Sequence, residues 1–416
     1  MRHYSPTLLL LMLLVAVPCA HAQDFDRWFT DATLRIDYTF TGNAYSQQIN
    51  VDELVRLPRW WGKRAHLDDV PVRGNGQIVV RDHKSGTVIY RNSFSTLFQE
   101  WLSYDESQGS PRSFENVFLV PMPKDTADVT VELYNNRQEP MATMTHQVSP
   151  DDILIRRAGE HRLTPHKRMQ SAADSTRCIH IAYVAEGYQE SEMDVFLRDV
   201  ERCMGALFSH EPFRSLRDRF EVTAVMSPSA ESGTSIPHDG IWKETALHSH
   251  FDTFYSNRYL TTLHLKALHD WLAGIAYEHI IVLVNTEQYG GGGILNSYNL
   301  SMAHHDLTLP VVVHEFGHSF GGLADEYAYE QEAIPMYPHD VEPWEPNITT
   351  KVNLASKWGD LMQQGGEVGL YEGAGYSMKG VYRPCADCRM RTNENPTFCV
   401  VCDRALRRLI DFYTAY

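Results

Sequence analysis

The sequence is poor in positive charge and has no long apolar run beyond its first 22 residues. Its 416 residues include 37 Lys and Arg against 53 Asp and Glu, which gives a formal net charge of −16. Because phosphate binding needs clustered Lys and Arg, this balance argues against nucleic acid as a partner. A membrane-spanning helix needs about 20 apolar residues, so an integral membrane protein is not expected. Repeats and low-complexity segments are lacking too, and nothing marks the chain as disordered or fibrous.

The first 22 residues have the three-part pattern of a secretory signal peptide. A basic residue after the initiator Met is followed by an apolar segment over residues 8–17, and Ala20 and Ala22 are the small residues before the expected cleavage site. The apolar segment is too short for a membrane anchor, and Pro18 before Cys19 fits a lipidation box poorly. The pattern predicts a signal peptide over residues 1–22 and a mature protein that is secreted or periplasmic.

Residues 23–150 are predicted to form an N-terminal β-sandwich domain. Residues 33–40 alternate apolar and polar side chains with period two, as a strand with one buried face does. Two further pairs of short segments flank turns and are typical of hairpins: 76–81 with 87–90, and 130–134 with 141–145. Short strands with regular turns predict a sandwich.

A polar, Pro-containing stretch over residues 149–167 is the candidate domain boundary. Beyond it, segments with strand and helix patterns alternate, which predicts an α/β-type domain over residues 160–416. The expected elements are strands at 178–184, 220–226 and 279–285 and helices at 191–208 and 260–274. The Cys-rich C-terminal segment is expected to form a separate lobe of this domain.

The HExxH pattern from His314 to His318 is the clearest chemical motif. Two histidines four residues apart project from one face of a helix, so they can bind one metal ion together. Glu315 lies beside that pair, where a general base must be to accept a proton from the attacking water. Pro310 suits the first turn of this helix, and Gly321-Gly322 permits the helix to end and the chain to turn back.

A zinc peptidase site needs three protein ligands and one open position for water. Two acids, Asp325 and Glu326, follow the glycine turn. Either carboxylate is a suitable third ligand, because the longer Glu side chain can reach from the next position. The residues themselves therefore predict one catalytic Zn²⁺ held by His314, His318 and one of these two acids.

The segment from His314 to Tyr327 resembles the extended metzincin motif, in which a glycine turn returns a third ligand to the metal. More closely, the sequence resembles the IgA peptidase family of secreted bacterial zinc metallopeptidases. The likeness continues through residues 285–298, 382–384, 387–388 and 398–402. It implies a multi-domain protein of mixed α/β class, in which the N-terminal β-domain is followed by a metzincin-like zincin catalytic domain.

The spacing of this chain departs from the metzincin pattern by one residue. Standard spacing would put the third ligand at Ala324, so Gly322 has the character of a one-residue insertion. With that allowance the resemblance favours Asp325 as the third ligand, and Glu326 remains the alternative. The family's Asp-Cys-x-Met pattern also favours Met390 as the methionine beneath the metal, with Met378 as the alternative.

A glycine run precedes the metal-binding helix. In the family fold the strand before this helix borders the cleft, which makes Gly291, Gly292 and Gly293 candidates for main-chain pairing with an extended peptide substrate. The alternative is that the run is a mobile loop. Tyr327 and Tyr382 are candidates for hydrogen-bonding the developing oxyanion.

Six cysteines remain after signal cleavage, and four of them, Cys385, Cys388, Cys399 and Cys402, have the spacing of a zinc ribbon. Export favours disulfides for these four, and a second, structural zinc ion is the alternative. Cys178 and Cys203 are expected to form a third disulfide or to remain buried thiols.

Together these features predict a secreted zinc metallopeptidase that hydrolyses peptide bonds of extracellular proteins, with Glu315 as general base. Immunoglobulin A and other host glycoproteins are candidate substrates that the family label suggests. Two other functions stay open on the sequence alone. One is a non-catalytic, zinc-containing surface or periplasmic binding protein, and the other is a zinc hydrolase such as a glycan-directed amidase.

Overall fold

The computed structural model describes residues 25–329 and 336–414. The predicted signal peptide over residues 1–22 lies outside the described residues and stays a prediction. The described chain is of mixed α/β class with several sheets. Within the described ranges, no helix has the length and apolar character needed to cross a membrane.

The N-terminal part contains two four-stranded sheets, with strand orders β5-β1-β2-β8 and β4-β3-β6-β7. The strands are β1 (Phe29–Gly42), β2 (Gln47–Leu57), β3 (Gly76–Asp82), β4 (Val88–Phe94), β5 (Arg112–Pro123), β6 (Ala127–Tyr134), β7 (Pro140–Val148) and β8 (Arg156–Arg157), with short helices α1 (Phe25–Trp28) and α2 (Leu97–Trp101). The two hairpins expected from the sequence are present as the antiparallel pairs β3–β4 and β6–β7.

The two N-terminal sheets contribute to one hydrophobic core. In β6 every second residue is buried, as period-two alternation of side chains requires. Phe94 of β4 packs against Phe118 of β5 with ring centroids 4.2 Å apart, and it also contacts Phe40 of β1. Side chains of the two sheets therefore meet in a shared aromatic layer, which stabilises both by removing apolar surface from water.

A six-stranded sheet with the order β13-β14-β12-β10-β11-β9 forms the centre of the following part. Its strands are β9 (His166–Gln170), β10 (Ile179–Glu186), β11 (Phe220–Val225), β12 (His279–Val284), β13 (Gly291–Ile294) and β14 (Tyr298–Met302). The four inner strands pair in parallel, and the edge strands β9 and β13 are antiparallel to their neighbours. Strands β10, β11 and β12 are buried at every residue, as parallel strands covered on both faces are.

The two faces of the central sheet are covered differently. Helices α3 (Met193–Leu207), α5 (Thr308–Ser319) and α7 (Val400–Thr414) share one apolar cluster with one face of β10, β11 and β12. The other face shares its apolar cluster with α4 (Leu265–Trp271) and with the N-terminal sheets. The buried Arg35 of β1 adds an ion pair to Asp270 of α4, with Nη1 and Oδ1 2.6 Å apart. The N-terminal part thus packs directly against the central sheet.

The sheet pairing shows where the N-terminal sheets end, and one helix is shorter than the sequence predicts. Strand β8 pairs with β2 of the first N-terminal sheet, whereas β9 pairs with β11 of the central sheet. The change from one part to the other therefore falls between residues 157 and 166.

The helix expected over 260–274 is only α4, because Thr261 instead pairs with His250 through backbone hydrogen bonds in both directions. The chain then continues through helix α6 (Gly359–Gln363) and the hairpin of β15 (Tyr371–Ala374) and β16 (Ser377–Arg383) before α7.

Candidate active site

Helix α5 carries the HExxH motif and is anchored by its apolar face. Val312, Phe316 and Phe320 are buried, and the rings of Phe316 and Phe320 stack with centroids 5.1 Å apart. This leaves His314 and His318 on a face that is only partly buried. Residues four apart share one side of a helix, so apolar packing on one face directs both imidazoles to the other.

The glycine turn after α5 sends the chain back towards the histidines. Gly322 has a φ of 59°, a left-handed conformation that glycine adopts without steric cost. Its N–H donates to the carbonyl of His318, and the N–H of Leu323 donates to the carbonyl of Gly317. These two bonds close the C-terminal end of the helix. The second glycine, which disturbs the metzincin spacing, is thus the residue that reverses the chain.

Three potential ligand atoms converge at the end of this turn. The Nε2 atoms of His314 and His318 are 3.0 Å apart, and the Oδ1 atom of Asp325 lies 3.0 Å from the first and 3.3 Å from the second. Tetrahedral zinc with ligands at about 2.0–2.1 Å separates neighbouring ligand atoms by about 3.3 Å. The donor set and its spacing therefore fit one zinc ion.

Backbone carbonyls orient both imidazoles. Nδ1 of His314 lies 3.1 Å from the carbonyl oxygen of Arg389, and Nδ1 of His318 lies 2.6 Å from that of Leu323. An Nδ1–H that donates to a carbonyl leaves Nε2 with its lone pair free for a metal. Both rings are thus oriented with Nε2 directed towards Asp325.

The charges of this group are set by burial and by one another. Burial favours neutral Asp325, but the charge of His318 and hydrogen bonds from both histidines outweigh it and hold the pKa of Asp325 below its usual range. Burial lowers the pKa of His318, yet the Asp325 carboxylate raises it to about 9. For Glu315, burial is the largest influence and raises the pKa. The pKa of Asp325 is therefore lowered and that of Glu315 raised, so that Glu315 holds a proton more strongly than Asp325 does.

Two family models match this chain. The chain matches the family model described as IgA Peptidase M64 over residues 168–367 and 362–410, and the model described as Peptidase M64 N-terminus over residues 24–145. The chain belongs to the IgA Peptidase M64 family. The resemblance seen in the sequence is thereby confirmed over most of the chain. M64 peptidases are metallopeptidases, so the protein is a peptidase and takes a protein substrate. No curated protein matches the chain.

The site of this M64 peptidase lies in an open cavity of about 650 Å³. The cavity is lined by three parts of the chain: the N-terminal sheets with α2, the central part up to α5, and the C-terminal part that follows α5. Glu100 of α2 comes from the N-terminal part, Gly292 and Glu315 come from the central part, and Tyr376 and Asn393 come from the C-terminal part. Glu100 also accepts a hydrogen bond of 2.5 Å from Tyr259, which ties the N-terminal wall to the central one.

The glycine run is a strand packed tightly against the active-site helix. A Cβ atom on Gly291 would lie 2.8 Å from the Glu315 carboxylate, and one on Gly293 would lie 2.5 Å from the Glu315 backbone oxygen. The glycines thus allow β13 to approach α5, so the run is not the loop considered from the sequence. Strand β13 is an edge strand, but the N–H of Gly291 donates to the carbonyl of Arg258, which covers one end of that edge.

Tyr376 is a site residue of the M64 peptidase that sequence reasoning missed. Its hydroxyl donates to Oδ2 of Asp325, the oxygen that does not face the histidines. Tyr376 has a φ of 63°, a strained conformation for a residue with a side chain. Tyr327 lines the cavity near His314. Tyr382 lies elsewhere and accepts a hydrogen bond from Lys351, so it is not placed to assist at the metal site.

Replacing Tyr376 with Phe is expected to lower zinc affinity and kcat/KM by about 10- to 100-fold, as loss of a hydrogen bond to a metal ligand does. Zinc affinity is measured by competition with a chromogenic chelator, and kcat/KM on a quenched peptide. The matched variant Tyr382→Phe should leave both values unchanged. Equal effects of the two substitutions would show that the bond to Asp325 has no special role.

The two methionine candidates are placed very differently. Met390 is fully buried, and a Cβ on Gly317 of α5 would lie 2.6 Å from its sulfur. Met378 is 46% exposed. Met390 therefore forms part of the apolar layer beneath the metal-binding turn, and its backbone carbonyl accepts a hydrogen bond of 2.8 Å from the N–H of Glu326.

The remaining sequence-derived candidates lie away from the histidines. The Glu326 side chain is directed to the cysteines, because its Oε1 accepts from Asn347 and from Cys402. The structure therefore brings Asp325, and not Glu326, to the two histidines.

All six cysteines between residues 25 and 414 are free thiols. The predicted disulfides are thus absent among the described residues: Cys178 contacts His180, whereas Cys203 is buried on α3.

Proposed function

We propose that the protein is a secreted zinc-dependent endopeptidase. His314, His318 and Asp325 would hold the zinc ion, and Glu315 would act as general base. The observation that carries this proposal is the convergence of three ligand atoms within 3.3 Å of one another, beside a carboxylate in an open cavity. The family match supports the peptidase class, and the N-terminal sequence pattern supports export with cleavage after Ala22.

The chemistry divides between the metal and the chain. When bound, zinc lowers the pKa of water and polarises the scissile carbonyl. Glu315 then accepts a proton from the attacking water, whose oxygen bonds to the carbonyl carbon. The same carboxylic acid returns the proton to the leaving nitrogen as the C–N bond breaks. The second proton of the water passes from the new carboxyl group to the amine, so that a carboxylate and an ammonium group result. No covalent bond to the enzyme forms at any step.

The finer fold assignment is also a proposal. The shared core of the two N-terminal sheets supports a β-sandwich. A metzincin-like arrangement is supported by the turn at Gly322 and by Met390 beneath the turn. The open cavity between three parts of the chain offers space for an extended polypeptide, which favours internal cleavage over removal of terminal residues.

Immunoglobulin A and other extracellular glycoproteins are the substrates to test first. Incubation with such proteins, followed by mass spectrometry of the products, is expected to show new peptide termini within the chains. Removal of zinc by a chelator should abolish these products, and added Zn²⁺ should restore them. Cleavage that persists without metal would contradict the zinc dependence. Release of glycans without new peptide termini would indicate an amidase, and no product from any protein would favour a binding protein.

A further inference from the structure

A second cluster of potential metal ligands lies beside the active site. The Sγ atoms of Cys388, Cys399 and Cys402 and one carboxylate oxygen of Glu326 all lie within 4.8 Å of one another. All four residues are at least largely removed from solvent, and Cys388, Cys402 and Glu326 are fully buried. None of them belongs to the group formed by the two histidines and Asp325.

The distances within this cluster match a zinc–thiolate site. Sγ of Cys388 and Sγ of Cys402 are 3.8 Å apart, and Sγ of Cys402 is 3.2 Å from Oε1 of Glu326. Tetrahedral zinc with Zn–S distances of about 2.3 Å separates two sulfur atoms by about 3.8 Å, and a sulfur from a carboxylate oxygen by about 3.5 Å. Two disulfide-bonded sulfur atoms would be only about 2.05 Å apart.

Glu326 lacks the partners that a buried carboxylate needs. Its exposed fraction is 0%, and its Oε2 atom has no hydrogen-bond partner among the described residues. Among the described residues, Glu326 forms no ion pair with Lys, Arg or His. Oε1 accepts only from an amide and a thiol. The charge of Arg383 acts on Glu326, but the two form no ion pair. A buried carboxylate oxygen without a direct polar or cationic partner is unfavourable, and a bound divalent cation would supply that partner.

We propose that Glu326, Cys388, Cys399 and Cys402 form a second, structural zinc site. All four coordination positions are then filled by the protein, which leaves none for substrate water. Binding converts three thiols to thiolates and releases three protons. The zinc-ribbon spacing alone would have used Cys385 as the fourth ligand, whereas the structure replaces it with a carboxylate 59 positions earlier in the chain.

This site would position the catalytic ligands. Glu326 directly follows Asp325, and its N–H binds the carbonyl of Met390. Cys388 is two residues before Met390, whose sulfur packs beneath the HExxH helix. A metal bound by both Glu326 and Cys388 therefore joins the segment that carries Asp325 to the segment that carries Met390. Its loss should loosen Asp325 without removing any catalytic ligand.

The test isolates the second site by removing the first. The full mature chain with His314→Ala and His318→Ala is purified with zinc, and its metal content is measured by native mass spectrometry. We expect one zinc ion per chain to remain. Adding Cys402→Ser should remove it, whereas the matched substitution Cys385→Ser should leave it bound. Replacement by Co²⁺ should produce thiolate-to-cobalt charge-transfer absorption in the double-histidine variant.

A second measurement tests the same site without replacing any cysteine, so that a folding defect of a cysteine variant does not affect it. In the unmutated protein, bound zinc should protect Cys388, Cys399 and Cys402 from alkylation, and a chelator should expose them. Glu326→Gln, which keeps all three thiols, should lower zinc retention in the double-histidine background. Metal-free protein in that background, or disulfides among these cysteines in the mass spectrum, would overturn the proposal. Loss of zinc on Cys385→Ser but not on Glu326→Gln would overturn the ligand set.

Discussion

Replacing Glu315 with Gln is expected to lower kcat by about 100- to 10,000-fold, the range that a general base contributes. The amide has nearly the size of the carboxylate but cannot accept a proton from water. Glu315 is not among the three converging ligand atoms, so the zinc content of the variant should equal that of the unmodified protein. The measurement is kcat on a quenched peptide together with zinc analysis of the same sample.

A matched control separates this effect from a loss of negative charge. Glu287 is an exposed residue of the same domain, and Glu287→Gln should leave kcat and zinc content unchanged. If Glu315→Gln retained full activity, Glu315 would not be the base. A protein without measurable activity before substitution would instead support the non-catalytic binding role.

Replacing Asp325 with Ala is expected to lower zinc affinity at the catalytic site by more than about 100-fold. Even a lost hydrogen bond to a zinc ligand costs about 10- to 100-fold in affinity, and this substitution removes a ligand atom itself. It also leaves the Tyr376 hydroxyl without its acceptor. Zinc affinity is measured by chelator competition, and activity should fall in parallel with zinc occupancy.

Asp218→Ala is the control for Asp325→Ala, because Asp218 is exposed and does not line the cavity. This control should bind zinc as the unmodified chain does. Restoration of activity to Asp325→Ala by excess zinc would fit the ligand role, since mass action can offset a weakened site. Full zinc affinity and activity in Asp325→Ala would instead show that another residue, such as Glu326, is the third ligand.

Local patterns were sufficient for the helix and its histidines. The positions of His314, Glu315 and His318 follow from helical periodicity, which depends on neighbouring residues only. The choice between Asp325 and Glu326 did not follow, because both side chains are long enough to reach a metal. Which of the two acids faces the histidines depends on the φ of Gly322 and on the hydrogen bond from the N–H of Glu326 to the carbonyl of Met390. These two residues are 64 positions apart in the sequence.

Long-range contacts explain what the sequence left undetermined. Tyr376 reaches Asp325 from a hairpin 51 residues away, and no motif marks it among 21 tyrosines. For the glycine run, the sequence does not distinguish a loop from a peptide-binding edge, because tight packing of β13 against α5 leaves no local pattern. The cysteine spacing predicted four equivalent residues, yet the structure gathers three of them around Glu326. Such groupings are determined by tertiary packing, which a single sequence does not display.

The most direct test of the account is a crystal structure of the zinc-loaded protein with anomalous diffraction on both sides of the zinc absorption edge. We predict an edge-dependent peak within about 2.0–2.2 Å of Nε2 of His314, Nε2 of His318 and a carboxylate oxygen of Asp325. A peak at the histidines bound by Glu326 instead, or no zinc peak between His314 and His318, would contradict the account.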